Sequence, residues 1–387
     1  MIQIIALLAL LAAFPALSTD MYLAAIPLLV NEWQQPLVIV NLTLVGFFIT
    51  YCGFLLIYGP LSDRYGRRPP LLAGLIIFVI ASLLCSMADD VFTMIVARVM
   101  QGAGAASASA ICFAICRDLF DGNMRQRVFV QLGIIVAAAP MLGPLIGSWI
   151  IDHIGWNWVF VVQAVMGTIA FLGVWWLPES LQEKSTEKLR RVMLSYVRLA
   201  RNPRFFLLNL AFSVLGIPIF AFIAVSSNIY ITTYGFSEQV YGYFFALNAS
   251  AFMAAPLLFS RVSRSKPLAR LLPLSYTVLL LASLLMLLPL PDPYRLAVPM
   301  WLVTFAFAFG RPPGNNLLLE QVEQDIGAAS SLMVFLYFLT GAMAMWFISL
   351  DWQDTVRVLG ILGTCSATLT LTAWIVINRV FKLKMVS

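Results

Sequence analysis

The chain holds a single histidine, His153, among 387 residues. Ser–His, Cys–His and His–metal chemistry therefore have one residue to draw on, and no catalytic partner faces it beyond the neighbouring Asp152. Five cysteines, at 52, 85, 112, 116 and 365, all fall in apolar runs. None has zinc-ligand spacing with a histidine, so they read as small packing residues rather than disulfides or metal ligands. There is no GxxxxGK[ST] segment to cradle a nucleotide's phosphates, which leaves an ion gradient, or nothing, as the energy source. Charge is scarce at 11%. The N-terminus lacks a basic stretch, and its apolar run continues past Thr19 and Asp20 to Val30, so a first membrane helix is expected there rather than a cleaved signal. No cofactor and no metal are expected.

What is present is apolar: 61% of residues are hydrophobic and the mean hydropathy is +0.91. A water-soluble fold of this composition would expose large apolar patches, so the class is a polytopic membrane protein. Twelve runs are long enough to span a bilayer as helices: 3–29, 37–60, 69–88, 91–116, 128–151, 156–177, 205–233, 238–260, 268–290, 295–318, 326–349 and 354–380. The expected fold is all-α, with twelve transmembrane helices in two six-helix bundles. The net charge of +6 is a topology signal rather than a nucleic-acid one. Arg64, Arg67, Arg68, Arg117, Arg125 and Arg127 follow even-numbered runs, as do the basic residues of 184–204 and 261–270 and the tail residues Arg379, Lys382 and Lys384. The opposite loops hold only Arg295 and Arg357. The positive-inside rule then places the even loops and both termini in the cytoplasm.

Residues 178–204 form the longest polar, basic stretch and divide the chain into bundles 1–177 and 205–387. The segment LQEKSTEKLRRVMLSYVRLA reads equally as an amphipathic helix on the lipid surface or a solvated tether. A shift of 198 residues lays LSDRYGRRPP onto FSRVSRSKPL, a weak internal repeat of the kind found in six-plus-six transporters.

Some polar residues fall inside apolar runs. Asp20 sits in the first, among Leu, Ala and Met; a charged Asp at a helix centre costs about 2.5–3.5 kcal/mol on insertion scales. It is a candidate proton or cation carrier, or else a structurally paired residue near the outer interface. Arg98, in the fourth run, is its natural complement: it stays charged, so it does not itself carry a proton. Its alternative role is structural, bonded to backbone carbonyls, and Gln101 is a candidate partner. Gly102, Ala105, Ser109 and Cys112 share its face and permit close helix approach. The fifth run carries Gly133, Ala137, Pro140, Gly143, Pro144 and Gly147, either a sealing helix between domains or ordinary small-residue packing. Arg311, in FGRPPGNN, is expected to pair with Glu320 or Glu323 or to snorkel. Tyr22, Phe47, Tyr51, Phe113, Asn209, Phe212, Asn228, Asn248 and Phe309 are candidate cavity residues.

Four motifs carry a resemblance. GPLSDRYGRR, with Gly59, Asp63, Arg64, Gly66, Arg67 and Arg68, resembles the G-x-x-x-D-R-x-G-R-R signature between helices 2 and 3 of the major facilitator superfamily. RVMQGAGAA resembles its fourth-helix motif, and APMLGPLIGS its fifth-helix antiporter motif. STDMYLAAIP resembles the first-helix pattern of the Bcr/CflA (bicyclomycin/chloramphenicol resistance) exporters, with Ala24 where that group usually has Pro. GWNWVF resembles a G-W-R-W-x-F pattern, with Asn157 replacing Arg. The resemblance implies a monomeric, proton-coupled exporter of small amphipathic compounds in the bacterial inner membrane, working by alternating access, with protons, substrate and lipid as its partners. It also implies that Arg98 is tied to proton coupling. It implies that Asp63 meets the start of a helix in the other half, near Gly327–Ser331, as a latch; Arg67 is expected to pair with Asp118. A simple topogenic loop is the alternative. An exporter of one metabolite or metallophore, and a sensor that binds without pumping, fit the same motifs.

Overall fold

The computed structural model describes residues 2–185, 189–264, 268–322 and 325–381. Among these, every regular element is a helix. In chain order they are α1 (Ile2–Asp20), α2 (Ile26–Glu32), α3 (Leu37–Tyr65), α4 (Arg68–Ser86), α5 (Val91–Leu119), α6 (Gly122–His153), α7 (Asn157–Trp176), α8 (Leu189–Ala200), α9 (Pro203–Val214), α10 (Ile217–Ser227), α11 (Glu238–Val262), α12 (Leu268–Leu285), α13 (Tyr294–Leu319), α14 (Ile326–Ile348) and α15 (Thr355–Phe381). Helix stands at each of the twelve apolar runs, and ten of the spans are long and apolar enough to cross a membrane. The other two runs are α12 and α13. α12 is a short helix of 18 residues, Leu268–Leu285, apolar apart from Arg270 and a few hydroxyls, and α13 is diluted by Arg295, Arg311 and three prolines.

Starts and stops follow local chemistry. Asp90 caps α5 by accepting from the backbone N–H groups of Phe92 (2.8 Å) and Thr93 (3.0 Å), which satisfies donors the first turn leaves orphaned. Asn202 does the same for α9, where Pro203 fills a position whose N–H has no partner in any case. Gly66 ends α3 at φ +104°, a backbone conformation that a side chain resists.

Two runs expected as single helices are broken. The first is interrupted after Asp20 by a turn and a 3₁₀ segment, Leu23–Ala25, before α2 begins. Pro27 explains the tightening: it has no N–H for the Leu23 carbonyl four residues earlier, and Ile26 donates to that carbonyl instead. The seventh run breaks between α9 and α10, where Pro218 leaves the Val214 carbonyl without its helical donor. It ends in a π-helical turn, Asn228–Thr233, which opens on the candidate residue Asn228. Both breaks lie in the leading apolar run of a half, though the 198-residue shift does not superpose them: it carries 21–25 onto 219–223, inside α10.

The chain resolves into two compact units. One is Met1–Val192 with Ser237–Ala246, the other Met193–Phe236 with Leu247–Ser387. In the first, α5 is the central helix, packed on α3 and α4, while α1 packs on α6. Its glycines make this possible: a methyl group on Gly102 would strike the Phe47 backbone, and one on Gly104 would lie 2.6 Å from the Phe78 nitrogen. In the second unit, α12 packs on α13 and α15, and α10 on α14. The basic stretch between the apolar halves forms α8. Its Tyr196 and Leu199 are buried, and Arg198 reaches Asp325 at the start of α14 at 3.6 Å. Lys188, Lys266, Lys382 and Lys384 lie outside the described residues.

Candidate functional site

Asp20 is the last residue of α1 and only 5% exposed. The hydroxyl of Thr19 donates to its Oδ1 at 3.0 Å, while Ser18 and Thr19 also return hydrogen bonds to carbonyls of the preceding turn. The helix therefore ends on a carboxylate in the protein interior. α6 lies against this break through two glycines. A methyl on Gly143 would come 2.8 Å from the Asp20 Cβ, and one on Gly147 would overlap the backbone of Met21. Pro144, between them, is buried. Gly133 does not belong to this contact, since nothing lies within 4 Å of where its Cβ would be. Pro140 is likewise on α6, one turn before Pro144.

Arg98 is completely buried on α5. It does not form an ion pair with Asp20. Its Nη1 donates instead to the Ser18 carbonyl at 2.9 Å and to Oε1 of Gln101. Three rings enclose the guanidinium: Phe47 at 4.6 Å, Tyr22 at 5.0 Å and Phe160 at 5.8 Å. Its Nε and Nη2 have no hydrogen-bond partner among the described residues, so aromatic faces take the place of water around the charge. Tyr22 and Phe47 are thus walls of the arginine cage, and Tyr51 stacks on Phe47 at 6.0 Å. Phe113, by contrast, is exposed and stacks on Phe129.

The arginine opens into a network that the motifs did not announce. Nε2 of Gln101 donates to Ser82 and to Gln163, both at 2.8 Å. Gln163 donates in turn to the carbonyls of Leu17 and Ser18 at 3.4 Å. All of these side chains are buried. Gln163 is the one carboxamide in the interior of the apolar run of α7, and that isolation was its sequence signal.

The basic knot folds around Arg67, itself only 2% exposed. Its Nε donates to Asp118 at 2.8 Å, as expected, and its Nη1 bonds Ser62 at 2.8 Å and Asp63. Burial works against its charge, but the bonds to Asp118 and Asp63 outweigh it and hold its pKa above the ordinary arginine value. Glu179 completes the knot. Its carboxylate accepts from the backbone N–H groups of Arg67 (2.8 Å) and Arg68 (3.1 Å) at the start of α4, where the helix dipole also favours an anion. Gly66 suits this corner because its φ of +104° resists a side chain, and a Cβ would also press on Glu179 Oε2 at 2.5 Å. Partial burial raises the Glu179 pKa, but the N–H groups of Leu181, Arg67, Arg68 and Ser180 overcome this and hold it below its ordinary value. Arg68 bonds the Trp175 carbonyl and covers its ring at 5.4 Å. Arg64 lies over the neighbouring Tyr65 ring, and Gly59 accepts from Ser62.

The second unit contains a cavity of about 120 Å³ beside the break between α9 and α10. Asn209, Phe212 and Arg311 line it. Asn248 is elsewhere, accepting from Thr304 at 3.0 Å. Phe309 packs in an apolar cluster with Ala255, Leu271 and Ala308 instead of facing the cavity. Arg311 pairs with no acid among the described residues: it sits over the rings of Tyr337 (4.3 Å) and Phe307 (5.6 Å). Glu320 does not reach it, and Glu323 lies outside the described residues.

Known proteins carry the same plan. A family model described as Major Facilitator Superfamily matches residues 8–345. A bicyclomycin resistance protein homolog from Haemophilus influenzae is 26% identical over 392 residues, 97% of this chain and 96% of that protein. The multidrug resistance protein MdtL of Citrobacter koseri is 28% identical over 369 residues, 92% and 91% of the two chains. In fold, the crystal structure of a bacterial homolog of the human lysosomal transporter Spinster superposes with a TM-score of 0.81 at 13% identity, covering 99% of this chain and 98% of that one. Many apolar helices, a polar core built on Arg98 and a knot built on Arg67 accord with that match, and the chain belongs to the Major Facilitator Superfamily as a multi-pass membrane transporter.

Proposed function

We propose that the chain exports small amphipathic or lipophilic compounds, drugs among them, across the bacterial inner membrane in exchange for protons. The observation that carries this is the position of Asp20: an interior carboxylate at the broken end of α1, held among the described residues by Thr19 alone and lying against Gly143. Broken helices near the membrane midplane are where transporters of this architecture bind ions and substrates. Protonation of Asp20 from outside releases substrate there, and deprotonation inside reloads the site. Moving one charge through 100 mV supplies about 2.3 kcal/mol, enough for modest accumulation. Arg98 and Gln163, joined through Gln101, hold the end of α1 by its carbonyls, so that the carboxylate sits on a rigid support. The names of the relatives, a resistance protein homolog and a multidrug resistance protein, favour a broad drug range over a single metabolite.

In this reading all twelve runs cross the membrane, 1–177 and 205–387 are the rocking halves, 178–204 is the cytoplasmic linker, and both termini are cytoplasmic. The transporter works as a monomer. The knot of Gly59, Asp63, Arg64, Gly66, Arg67, Arg68 and Asp118 is a latch that biases the alternation, with Asp63 as the member that engages the other half. α6, through Pro140, Gly143, Pro144 and Gly147, seals the path against leak.

The test is efflux from cells. Cells producing the protein are loaded with a fluorescent lipophilic cation, and its loss is followed before and after a protonophore collapses the gradient. Gradient-dependent loss with the wild type and none with Asp20→Asn supports the reading. Loss that continues after collapse contradicts it.

A further inference from the structure

Arg311 is used by nothing above. It lies inside α13, and its guanidinium is laid over two rings while its N–H edge has no hydrogen-bond or ion-pair partner among the described residues. No acidic residue lines the cavity it borders; the other walls include Asn209, Phe212, Tyr276 and Asn315. The cavity also abuts the break between α9 and α10, since Phe212, Ser213 and Leu215 line it. Interrupted helices in the two halves mark binding sites in transporters of this design, and Asp20 stands at the break in the leading run of the first half.

We propose that this cavity receives the oxyanion-bearing aromatic end of a substrate, with Arg311 as the residue that recognises it. The proposal rests on reading the chain as an exporter and adds a substrate class, aromatic carboxylates and similar oxyanions. Arginine suits the task because its five donors lie in one plane and match a carboxylate two at a time. Tyr337 and Phe307 cover a face of the guanidinium, so the free edge is what a ligand meets. Size sets the other limit: a pocket of about 120 Å³ holds a group on the scale of one benzene ring, which cavities of about 150 Å³ accept. Phe212 and Tyr276, with centroids 6.4 Å apart, supply the ring surface.

The experiment is equilibrium binding to the full chain, purified in a neutral detergent at neutral pH. Three ring-matched probes are used: benzoate, benzyl alcohol and benzylamine. The wild type is expected to bind benzoate about tenfold more tightly than benzyl alcohol, the ratio of one charge-assisted hydrogen-bonded pair. Arg311→Gln should abolish that preference, Arg311→Lys restore part of it, and Arg311→Glu turn it towards benzylamine. Equal binding of benzoate and benzyl alcohol by the wild type overturns the proposal without any variant having to fold. An undiminished benzoate preference in Arg311→Gln also overturns it. Short-chain phosphatidylglycerol is added as a competitor. Displacement of benzoate by it, but not by other aromatic carboxylates, assigns the site to lipid and overturns the substrate claim. Failure of the exporter reading shows elsewhere, as drug efflux that ignores the proton gradient, whatever benzoate does.

Discussion

Gly143 of α6 faces Asp20 of α1 so closely that a methyl group there would stand 2.8 Å from the Asp20 Cβ. Four residues on, Gly147 meets the backbone of Met21. The motif resembling that of antiporters and the interior carboxylate are thus one contact, in which the glycines let α6 close over the broken end of α1.

Substituting these glycines should be costly in order of the space they lack. Gly147→Ala must push α6 off the Met21 backbone and is expected to lose about 1–3 kcal/mol through overpacking. Gly143→Ala meets a side-chain carbon and should cost less. Gly133→Ala meets open space in a helix interior and should raise stability slightly, by about 0.5–1 kcal/mol. Thermal unfolding of the three variants in one detergent checks the ranking.

The Arg98 network should respond cooperatively. Gln163→Leu takes from Gln101 one of its two acceptors, leaving Ser82, and leaves the Leu17 and Ser18 carbonyls with fewer donors, an expected loss of about 1–3 kcal/mol. Gln101→Leu should cost a similar amount, and the double variant less than the sum, because the same bond is lost in both. A double-mutant cycle read by unfolding measures this; additive losses would mean that the two carboxamides act independently.

The knot should show a pH signature from Glu179. Its folded pKa lies below the ordinary value of 4.5. The sign follows directly: a carboxylate with a depressed folded pKa stabilises above its unfolded pKa, and that contribution disappears as pH falls through the folded value. Wild type should therefore unfold at a higher temperature than Glu179→Gln near neutral pH, by a small margin because Glu179 is exposed. The two should converge below about pH 4.5. A gap that widens in acid would contradict the assignment.

How far the sequence carried varies by element. The twelve helical runs were legible because apolar length alone demands helix in lipid. The Arg67–Asp118 pair was legible because an acid at the end of the fourth run and a basic loop between the second and third lie on the same expected side of the membrane. The breaks after Asp20 and before Ile217 were hidden inside unbroken apolar runs. There the prolines act on carbonyls four residues earlier, and Ser18 and Thr19 bond their own helix, neither of which alters hydropathy. The complement expected between Asp20 and Arg98 failed for a similar reason: sequence counts charges, but the structure satisfies Arg98 with a carbonyl, a carboxamide and three rings. Glu179 and Gln163 were missed because their partners, backbone groups and for Gln163 also the Gln101 side chain, lie far along the chain, which no short motif records.

The central claim is that the Asp20 carboxylate exchanges a proton for substrate. The most direct measurement is proton release on ligand addition. Wild type and Asp20→Asn are purified in weakly buffered detergent near neutral pH, a panel of lipophilic cations and neutral antibiotics is added, and binding and pH are recorded together. The account predicts proton release from the wild type on binding, and binding without release from Asp20→Asn. Equal release from both proteins, or binding without release from the wild type, would contradict it.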